Sequence, residues 1–436
     1  MSVPSYEPGS NKWRAAVCSS MFYMTSQPDS KLRQLRGPFA GDTDFNSGRE
    51  QSSSDYAIVT VTDLSKEKGD MISVDIVGEA MGEPKKNDEK VEGTGESLPW
   101  SGMDVKLGYT RKAINGGTVM QQQRSKHRIA EIARKAVVKY GKKYEEELIA
   151  LHAYGDRGYH TAGRILPTDP VRLAKLADNP VLPTTRNRAF VVSGSGLEKI
   201  TASGGEIAIA STDKMSWSVI ENLNAVNKDG IPVPVQGCKF EGDTMGAELP
   251  ISLFFADSLQ YKDLRQSTGF REFQANALAR AGKPGQNLIF TGGIGLMDNC
   301  LVVENRNLPC RFYSGNTVRY SANLTDETVA TGLVPAAFAS SNTAISMGLY
   351  IGQQALVHVM GGFDLSEYGE NDKRSAGYKW SEKLLDHGDT LEIALKMLES
   401  YAKVRFNLNW GTADNPIMQP TDYGIMTVLS AVSLQQ

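Results

Sequence analysis

Two runs of alternating apolar and polar residues bracket a charged, glycine-containing segment at 81–102. The first run, "ISVDIVG" at 72–78, places isoleucine and valine on one side and serine and aspartate on the other. The second run, "MDVKLGYT" at 103–110, repeats this alternation. A period of two residues is typical of β-strands. The pattern predicts a long β-hairpin with a polar tip. Its apolar face needs a surface to lie on, within the chain or outside it.

A longer period follows, and it predicts one amphipathic helix from Thr118 to His152 that stops at Gly155. The apolar positions that recur at steps of three and four residues are Ile129, Ile132, Ala133, Ala136, Val137, Tyr140, Tyr144, Leu148 and Leu151. The predicted outer face carries basic residues and then acids, namely Arg124, Lys126, Arg128, Arg134, Lys135, Lys139, Lys142, Lys143 and Glu145–Glu147. This face is either simply solvated or meets something anionic.

The second half of the chain alternates predicted helices and strands. Capping residues and apolar spacing predict helices at 211–226 and 257–282, and another at 389–406 that runs into a strand. Apolar runs predict buried strands at 249–257 and 422–433, a strand–turn–strand unit at 287–305, and a core segment at 336–361. This mixture indicates an α+β protein.

Composition narrows the possible functions. The chain has 436 residues, 40% of them hydrophobic and 22% charged, with a net charge of −3. Such a balance gives no reason to expect strong affinity for nucleic acid. No apolar run approaches the roughly 20 residues of a membrane span, and the first residues do not form a secretory signal. The scattered cysteines favour a soluble, reduced, intracellular chain; they are Cys18, Cys238, Cys300 and Cys310.

A search for chemistry finds no catalytic, cofactor or metal site. His152, Asp156 and His160 have an even spacing, but they cross a predicted helix end, where four-residue spacing no longer aligns side chains. The glycine-rich stretch "TGGIGLMDN" at 291–299 lacks the third glycine of a dinucleotide loop and leads into a strand. A tight hairpin turn is therefore the prediction for this stretch.

Several ordered motifs resemble the major capsid proteins of tailed bacteriophages, in the branch of the N-four-like podoviruses. The motifs are D-L-x-K-x-x-G-D at Asp63–Asp70, E-G-x-x-E-x-L at Glu92–Leu98 and G-x-x-M-x-x-Q-R at Gly117–Arg124. Further similarity lies in 255–305, in "GQQAL" at 352–356, and in "LEIALKMLESYAKVRFN" at 391–407. The resemblance covers the chain from about Tyr56 to its end.

The resemblance implies a Hong Kong 97-like capsid protomer. The expected segments are an N-terminal arm and lead-in strand (1–66), an E-loop hairpin (67–117), a P-domain with the spine helix (118–192), an axial A-domain (193–380), and a C-terminal helix and strand returning to the P-domain (381–436).

The implied function is structural: no enzyme, no cofactor, and self-assembly into an icosahedral shell around a double-stranded DNA genome. The E-loop would lie over the adjacent subunit, with interface candidates Glu83, Lys85, Lys86, Glu89, Lys90, Glu92 and Trp100. We expect no cross-link through the loop lysines, because no partner asparagine or activating glutamate is identified.

The implied partners are other copies in hexamers and pentamers, a separate scaffolding protein, a portal and, as an optional addition, a decoration protein. Contact with packaged DNA would be loose and independent of sequence, and no membrane would be involved. The protein would belong to the virion and assemble in the host bacterial cytoplasm.

Two alternatives remain open from the residues alone. One is a soluble α+β enzyme that acts through the His152–Asp156–His160 loop or the Gly292–Gly295 turn. The other is a different structural component of the virion, such as a tail or portal protein.

Overall fold

The structure of the chain is a computed structural model. It describes residues 32–37, 52, 55–62, 69–77, 85–87, 90–93, 95, 100–124, 128–229, 233–238, 251–267, 269, 295–297, 300–363, 375–411 and 417–434. Most of the predicted arm and of the hairpin tip lie outside these residues, as do the glycine turn at 291–294 and the end of the helix predicted over 257–282.

The α-helices in the described residues are α1 Val119–Arg124, α2 Ile129–Tyr154, α3 Pro170–Ala174, α4 Trp217–Asp229, α5 Ser258–Gln266 and α6 Ala337–Ser340. The prediction of one helix from Thr118 was wrong, because Arg128 is not helical (φ −77°, ψ 88°) and separates α1 from α2. The predicted stop is confirmed: Gly155 adopts the left-handed conformation (φ 72°) that glycine tolerates best, and caps α2.

The strands follow in chain order. The first twelve are β1 Ile58–Val61, β2 Met71–Val77, β3 Trp100–Lys106, β4 Tyr109–Thr118, β5 Ala189–Ser193, β6 Gly196–Lys199, β7 Ala202–Ser203, β8 Glu206–Ile207, β9 Ser252–Asp257, β10 Gly295–Met297, β11 Cys300–Asn305 and β12 Cys310–Phe312. The others are β13 Thr317–Ser321, β14 Val329–Leu333, β15 Thr343–Ile351, β16 Leu356–Met360, β17 Gly362–Phe363, β18 Ser375–Ala376, β19 Tyr378–Leu385, β20 Thr390–Lys403, β21 Arg405–Asn409, β22 Met418–Asp422 and β23 Ile425–Ser433.

Within the described residues, an eight-stranded sheet holds most of the core, in the order β10-β11-β9-β15-β23-β5-β6 with β12 beside β15. Every residue of β9 and β15 is buried, which confirms the strand predicted at 249–257 for its described residues. The core segment predicted at 336–361 is confirmed from Thr343 onward, whereas residues 336–342 are exposed except for Phe338. One face packs on α4 and α5, and the other packs on the C-terminal half of α2. The closing strand β23 lies between β15 and β5.

A second sheet runs β1-β16-β20-β19, with β4 on the other side of β20. The helix predicted at 389–406 was wrong, because Thr390–Lys403 forms the long strand β20. This segment is rich in helix-forming residues, but pairing with β4, β16 and β19 overrides local propensity. Two strand pairings also join segments that were predicted to be separate. β16 of the predicted A-domain pairs with β20 of the C-terminal segment. β23 of the C-terminal segment pairs with β15 and β5.

Helix α2 packs on one face of the β4–β20–β19 part of this sheet. Val137 and Ile393 are fully buried where they meet, and Leu148 is buried further along the helix. Gly141 has a packing reason: a Cβ there would lie 2.6 Å from Leu395 Cδ2, so a larger residue would displace the Leu395 side chain. The predicted apolar face of α2 is therefore confirmed.

The hairpin is confirmed by the pairing of β2 with β3, in which Ile72 lies opposite Val105 and Val74 opposite Met103. The single strand predicted at 103–110 was wrong, because β3 ends at Lys106 and β4 joins a different sheet. The buried side chain of Asn179 fixes the backbone between β3 and β4. Its Oδ1 accepts from Lys106 N (2.8 Å), and its Nδ2 donates to Lys106 O (3.1 Å) and Tyr401 O (3.2 Å).

The helix predicted at 211–226 begins later than expected, at Trp217, and has no acidic residue in its first turn. The 211–216 segment forms turns instead, and Asp213 is used there: its Oδ1 accepts from Gly194 N and its Oδ2 from Ala210 N. The apolar positions Val219, Ile220 and Leu223 are buried as the periodicity predicts.

Candidate assembly surfaces

The interface residues predicted on the hairpin are exposed wherever the structure describes them. Lys85, Lys86, Lys90 and Glu92 lie at the surface near the hairpin tip. Glu83 and Glu89 lie outside the described residues. Trp100 begins β3 and is 71% exposed, which is unusual for so large an apolar side chain. An exposed aromatic on a protruding element is a strong candidate for contact with another protein.

The two faces of the hairpin differ in character. The apolar face, with Ile72, Val74 and Met103, packs on the valines of β1 and β16, so its partner lies within the same chain. Ser101 Oγ accepts a hydrogen bond from Asn407 N (3.1 Å), which fixes β3 beside β21. The opposite face, which includes Asp104, is exposed. Any contact of the hairpin arms with another subunit must therefore use this outward face, which also carries Met71 and Trp100.

The β4–β20–β19 layer has one covered and one uncovered face. On the covered face, Arg134 of α2 makes two hydrogen bonds to Glu382 (2.7 and 2.8 Å). Together with the Trp380 indole N–H, this arginine lowers the pKa of Glu382 to about 2. Beyond the end of this contact Leu384 is 64% exposed, on the same strand as partly exposed Trp380. The edge strand β19 thus presents apolar surface.

Helix α2 separates its charges between its two sides. The prediction that Glu145, Glu146 and Glu147 lie on the outer face was wrong, because all three are buried. Glu147 accepts hydrogen bonds from the backbone N–H groups of Ile165 (2.7 Å) and Leu166 (2.8 Å). The exposed side of the helix keeps basic residues. We name four of them the basic stripe: Arg128, Lys135, Lys139 and Lys142.

The basic stripe lies opposite the buried face of α2. Residues spaced by seven, four and three positions fall on one side of an α-helix. From Arg128 to Lys142 the stripe spans roughly 21 Å at about 1.5 Å per residue. Glu131 is an exposed acid beside it and pairs with Arg128 (2.8 Å), whereas Arg134 pairs with Glu382 and is not part of the stripe. The stripe is therefore a cationic surface on a chain whose net charge is −3.

A segment near the N-terminus is fixed to α2 by a buried carboxylate. Arg33 Nε lies 2.7 Å from Glu145 Oε2, Arg36 pairs with Oε1 of the same residue, and Tyr401 Oη donates to Oε1 (3.1 Å). Burial lowers the pKa of Arg36, but the Glu145 charge and nearby tyrosines outweigh it and raise the pKa above its ordinary value. We name this group the arginine clip (Arg33, Arg36, Glu145).

The histidine–aspartate group is structural. His152 is buried, and burial followed by the nearby Lys403 charge lowers its pKa to about 4. Asp156 Oδ1 accepts from Gly158 N (3.1 Å), and His160 Nδ1 lies 3.1 Å from Tyr313 Oη. Among the described residues, no group of histidine, cysteine, aspartate and glutamate could hold a metal ion. No helix in this part of the chain is long and apolar enough to cross a membrane.

Sequence reasoning missed the arginine clip. Arg33 and Arg36 lie in a stretch that has no periodic pattern, and their partner Glu145 looks like one of several surface acids in the sequence. The signal that could have found it is the position of Glu145 within the helical repeat, close to the apolar residues Tyr144 and Leu148.

A family model described as "Phage capsid protein" matches residues 10–434. The chain belongs to this family. The capsid protein is thus a structural protein of the virion, a major capsid protein that forms the shell with other copies of itself. None of the curated proteins matches its sequence.

Solved capsid structures have the same fold as this capsid protein. The capsid of Ralstonia phage GP4 has a TM-score of 0.67 at 21% identity, with 100% of both chains covered. The Cyanophage Pam1 capsid has a TM-score of 0.61 at 14% identity, again with 100% of both chains covered. The acidic stable capsid of Helicobacter pylori bacteriophage KHP30 has a TM-score of 0.57 at 12% identity, covering 98% of this chain and 99% of that chain. The predicted α+β, Hong Kong 97-like fold is therefore confirmed.

Proposed function

We propose that this major capsid protein builds the icosahedral shell of a tailed phage of the N-four-like podovirus branch, around a double-stranded DNA genome. The observation that carries the proposal is the uncovered face of the β4–β20–β19 layer, together with a hairpin whose outward face is exposed. A chain that leaves such surfaces open has room for contacts with several neighbours. Modest interfaces repeated around each subunit then add up to a stable shell through multivalency.

The hairpin acts as the E-loop and α2 as the spine helix, within the segments 67–117 and 118–192. The E-loop lies over the adjacent subunit and makes polar contacts there. Its contact residues are Glu83, Lys85, Lys86, Glu89, Lys90, Glu92 and Trp100. The 71% exposure of Trp100 supports this role, because aromatic side chains often anchor interfaces.

The subunits form hexamers and pentamers by closed symmetry. A separate scaffolding protein directs their assembly in the host bacterial cytoplasm, a portal occupies one vertex, and a decoration protein is an optional addition. These partners follow from the family resemblance.

Packaged DNA meets the basic stripe of α2. Lysine and arginine bind phosphates without reading sequence, and the affinity of such contacts falls as salt rises. The exposure of Lys135, Lys139 and Lys142 on the side away from the sheet supports this assignment. The contact is loose, which suits DNA that must be released.

Deletion of Pro84–Ser97 tests the proposal. We expect a soluble, folded subunit that no longer forms closed shells, as seen by negative-stain microscopy and sedimentation. The matched control replaces a second polar segment, 364–374, with glycine and serine while keeping its length. Normal particles from the Pro84–Ser97 deletion would contradict the role of the E-loop.

The parent chain separates the proposal from its alternatives. Isometric shells support the proposal, whereas rings or tubes indicate a portal or tail component. A monomer or dimer at high concentration contradicts the shell function.

A further inference from the structure

Asn115 is the only asparagine of the chain that is followed directly by glycine. It lies on β4 with its side chain exposed, and Gly116 and Gly117 come next. The side-chain carbonyl carbon of an asparagine can react with the backbone nitrogen of the following residue. Glycine at that position hinders the approach least, because it has no Cβ. The sequence thus places a reactive pair of groups within a paired strand.

The pairing of β4 with β20 is interrupted directly after Asn115. Between the pair of Asn115 with Glu392 and the next pair along the strands, Gly116 and Gly117 lie opposite the single residue Leu391. An extra residue on one strand is a β-bulge, which disrupts the ladder locally. Gly117 has a positive φ (91°), a conformation that glycine adopts readily in bulges. The backbone nitrogen that would attack Asn115 therefore lies in a bulge and not in a regular ladder.

A hydrogen bond prepares the Asn115 side chain for attack. Gly117 N donates to Asn115 Oδ1 (2.8 Å) and closes a short turn around Gly116. The ring that this bond closes includes both reacting atoms, Cγ of Asn115 and the backbone nitrogen of Gly116. Negative charge develops on Oδ1 when a nucleophile adds to Cγ, and a backbone N–H that already points at this oxygen stabilises that charge.

We propose that Asn115 is a site of spontaneous deamidation, with water as the co-reactant. The Gly116 nitrogen bonds to Asn115 Cγ and loses its proton to solvent, the Cγ–Nδ2 bond breaks, and Nδ2 leaves as ammonia. Water then opens the cyclic imide. Cleavage of the new bond to Cγ gives aspartate, and cleavage of the bond to the main-chain carbonyl of residue 115 gives isoaspartate. The net change is the gain of one water and the loss of one ammonia.

Either product changes the junction between β4 and α1. The new carboxylate lies opposite Glu392, and like charges directly opposite one another destabilise a sheet, although Lys383 on the other side of Glu392 offsets part of this repulsion. In isoaspartate the main chain also runs through Cβ, which lengthens the bulge opposite Leu391. Helix α1 begins shortly afterwards at Val119. Hydrogen exchange over 116–124 should therefore be faster in the converted chain, and equal exchange would overturn this consequence.

Peptide mapping of the folded, purified chain by mass spectrometry tests the proposal. After incubation, we expect the peptide that contains Asn115 to show the mass change of amide to acid. Conversion should rise with pH, because the attacking nitrogen must lose its proton. Asn407 is an internal control: it is also exposed on a strand, β21, but leucine follows it, so it should keep its amide.

Two variants test the chemistry. Gly116→Ala should slow conversion by about tenfold, because a Cβ on the attacking residue hinders its approach to the side chain. Asn115→Gln keeps a side-chain amide but moves it one methylene further away, so this ring should not form, and the variant leaves Gly116 in place if alanine disturbs the packing. The matched control Gly196→Ala, where a Cβ would have an ordinary contact of 3.6 Å, should convert at the parental rate. Melting temperatures establish that each variant is folded.

A free peptide of residues 109–121 supplies the reference rate. Conversion of this peptide while Asn115 of the folded chain keeps its amide would overturn the proposal. So would conversion of Asn407 as fast as that of Asn115, or a parental rate in Gly116→Ala. None of these measurements requires that the chain assembles. Failure of the parent to form shells would therefore contradict the proposed function and leave this inference intact.

Discussion

The eight-stranded sheet and the β4–β20–β19 layer use similar residues in different ways. Every residue of β15 in the first is buried, and helices cover both faces of that sheet. In the second, β4 alternates exposed and half-buried residues along most of its length, and one face has no cover in the described residues. The first region is completed by its own chain. The second keeps an exposed face, which is what the contacts between subunits in our proposal require.

The same substitution in each region gives the sharpest contrast. Leu349→Asp in β15 places an unpaired charge in a fully buried site and should cost more than about 4 kcal/mol of stability, enough to prevent soluble expression. Leu384→Asp in β19, where the side chain is 64% exposed, should change stability by less than about 0.5 kcal/mol. Thermal unfolding and soluble yield measure both. Equal losses of stability in the two variants would contradict the distinction between the buried sheet and the exposed layer.

The two sides of α2 can be compared through their carboxylates. Glu145→Gln removes the charge that holds Arg33 and Arg36 and should cost about 3–5 kcal/mol, because it leaves partly buried charges without their partner. Glu131→Gln removes only an exposed pair with Arg128 and should cost less than about 1 kcal/mol. Denaturant unfolding gives both values. Proteolysis within 32–37 should also rise in the first variant alone.

Acid should weaken the buried region through His152. Its folded pKa of about 4 lies below the ordinary 6.5, so between these values the unfolded chain binds a proton that the folded chain does not. Stability is therefore lost as the pH falls from 6.5 towards 4, by roughly 3 kcal/mol in full. His152→Gln should flatten this part of the profile. The exposed control His387→Gln should leave it unchanged, and a flat parental profile would contradict the assignment.

The smallest effect on stability is expected on the basic stripe. Lys135→Glu with Lys139→Glu should shift stability by less than about 0.5 kcal/mol, since both side chains are exposed. Binding of duplex DNA should weaken, and the slope of log affinity against log salt should fall by about 2, since each lost phosphate contact removes about 0.9. The control pair Lys175→Glu and Lys199→Glu should keep the slope; an equal loss there would indicate a general charge effect.

Much of the fold could be predicted because apolar residues that become buried follow local patterns along the chain. The hairpin follows from alternation, the apolar face of α2 follows from helical spacing, and the strands β9 and β23 follow from continuous apolar runs. In β20 the two signals conflicted. Its leucine, lysine and glutamate content favours a helix, while Leu391, Ile393 and Leu395 alternate as a strand requires, and pairing on both sides decided the outcome.

The groups of polar and exposed residues were harder to predict than the helices and strands. Trp100 could be chosen because a large aromatic on a polar loop is conspicuous. The grouping of Arg111, Lys396 and Lys379 across β4, β20 and β19 could not, because these residues come from separate strands and become neighbours only through strand register. The arginine clip has the same origin, since the sequence separation between Arg36 and Glu145 gives no local sign of their contact.

Asn179 lies at the base of the hairpin. One buried amide joins the last residue of β3 to the backbone of β20, so these bonds, together with the packing of the hairpin on β1 and β16, set the angle at which the hairpin leaves the layer. An arm of seven residues is about 23 Å long, and a tilt of about 5° at its base moves its far end by about 2 Å. In the pentamers and hexamers that we propose, such a tilt would let identical subunits direct their hairpins differently while every strand stays paired.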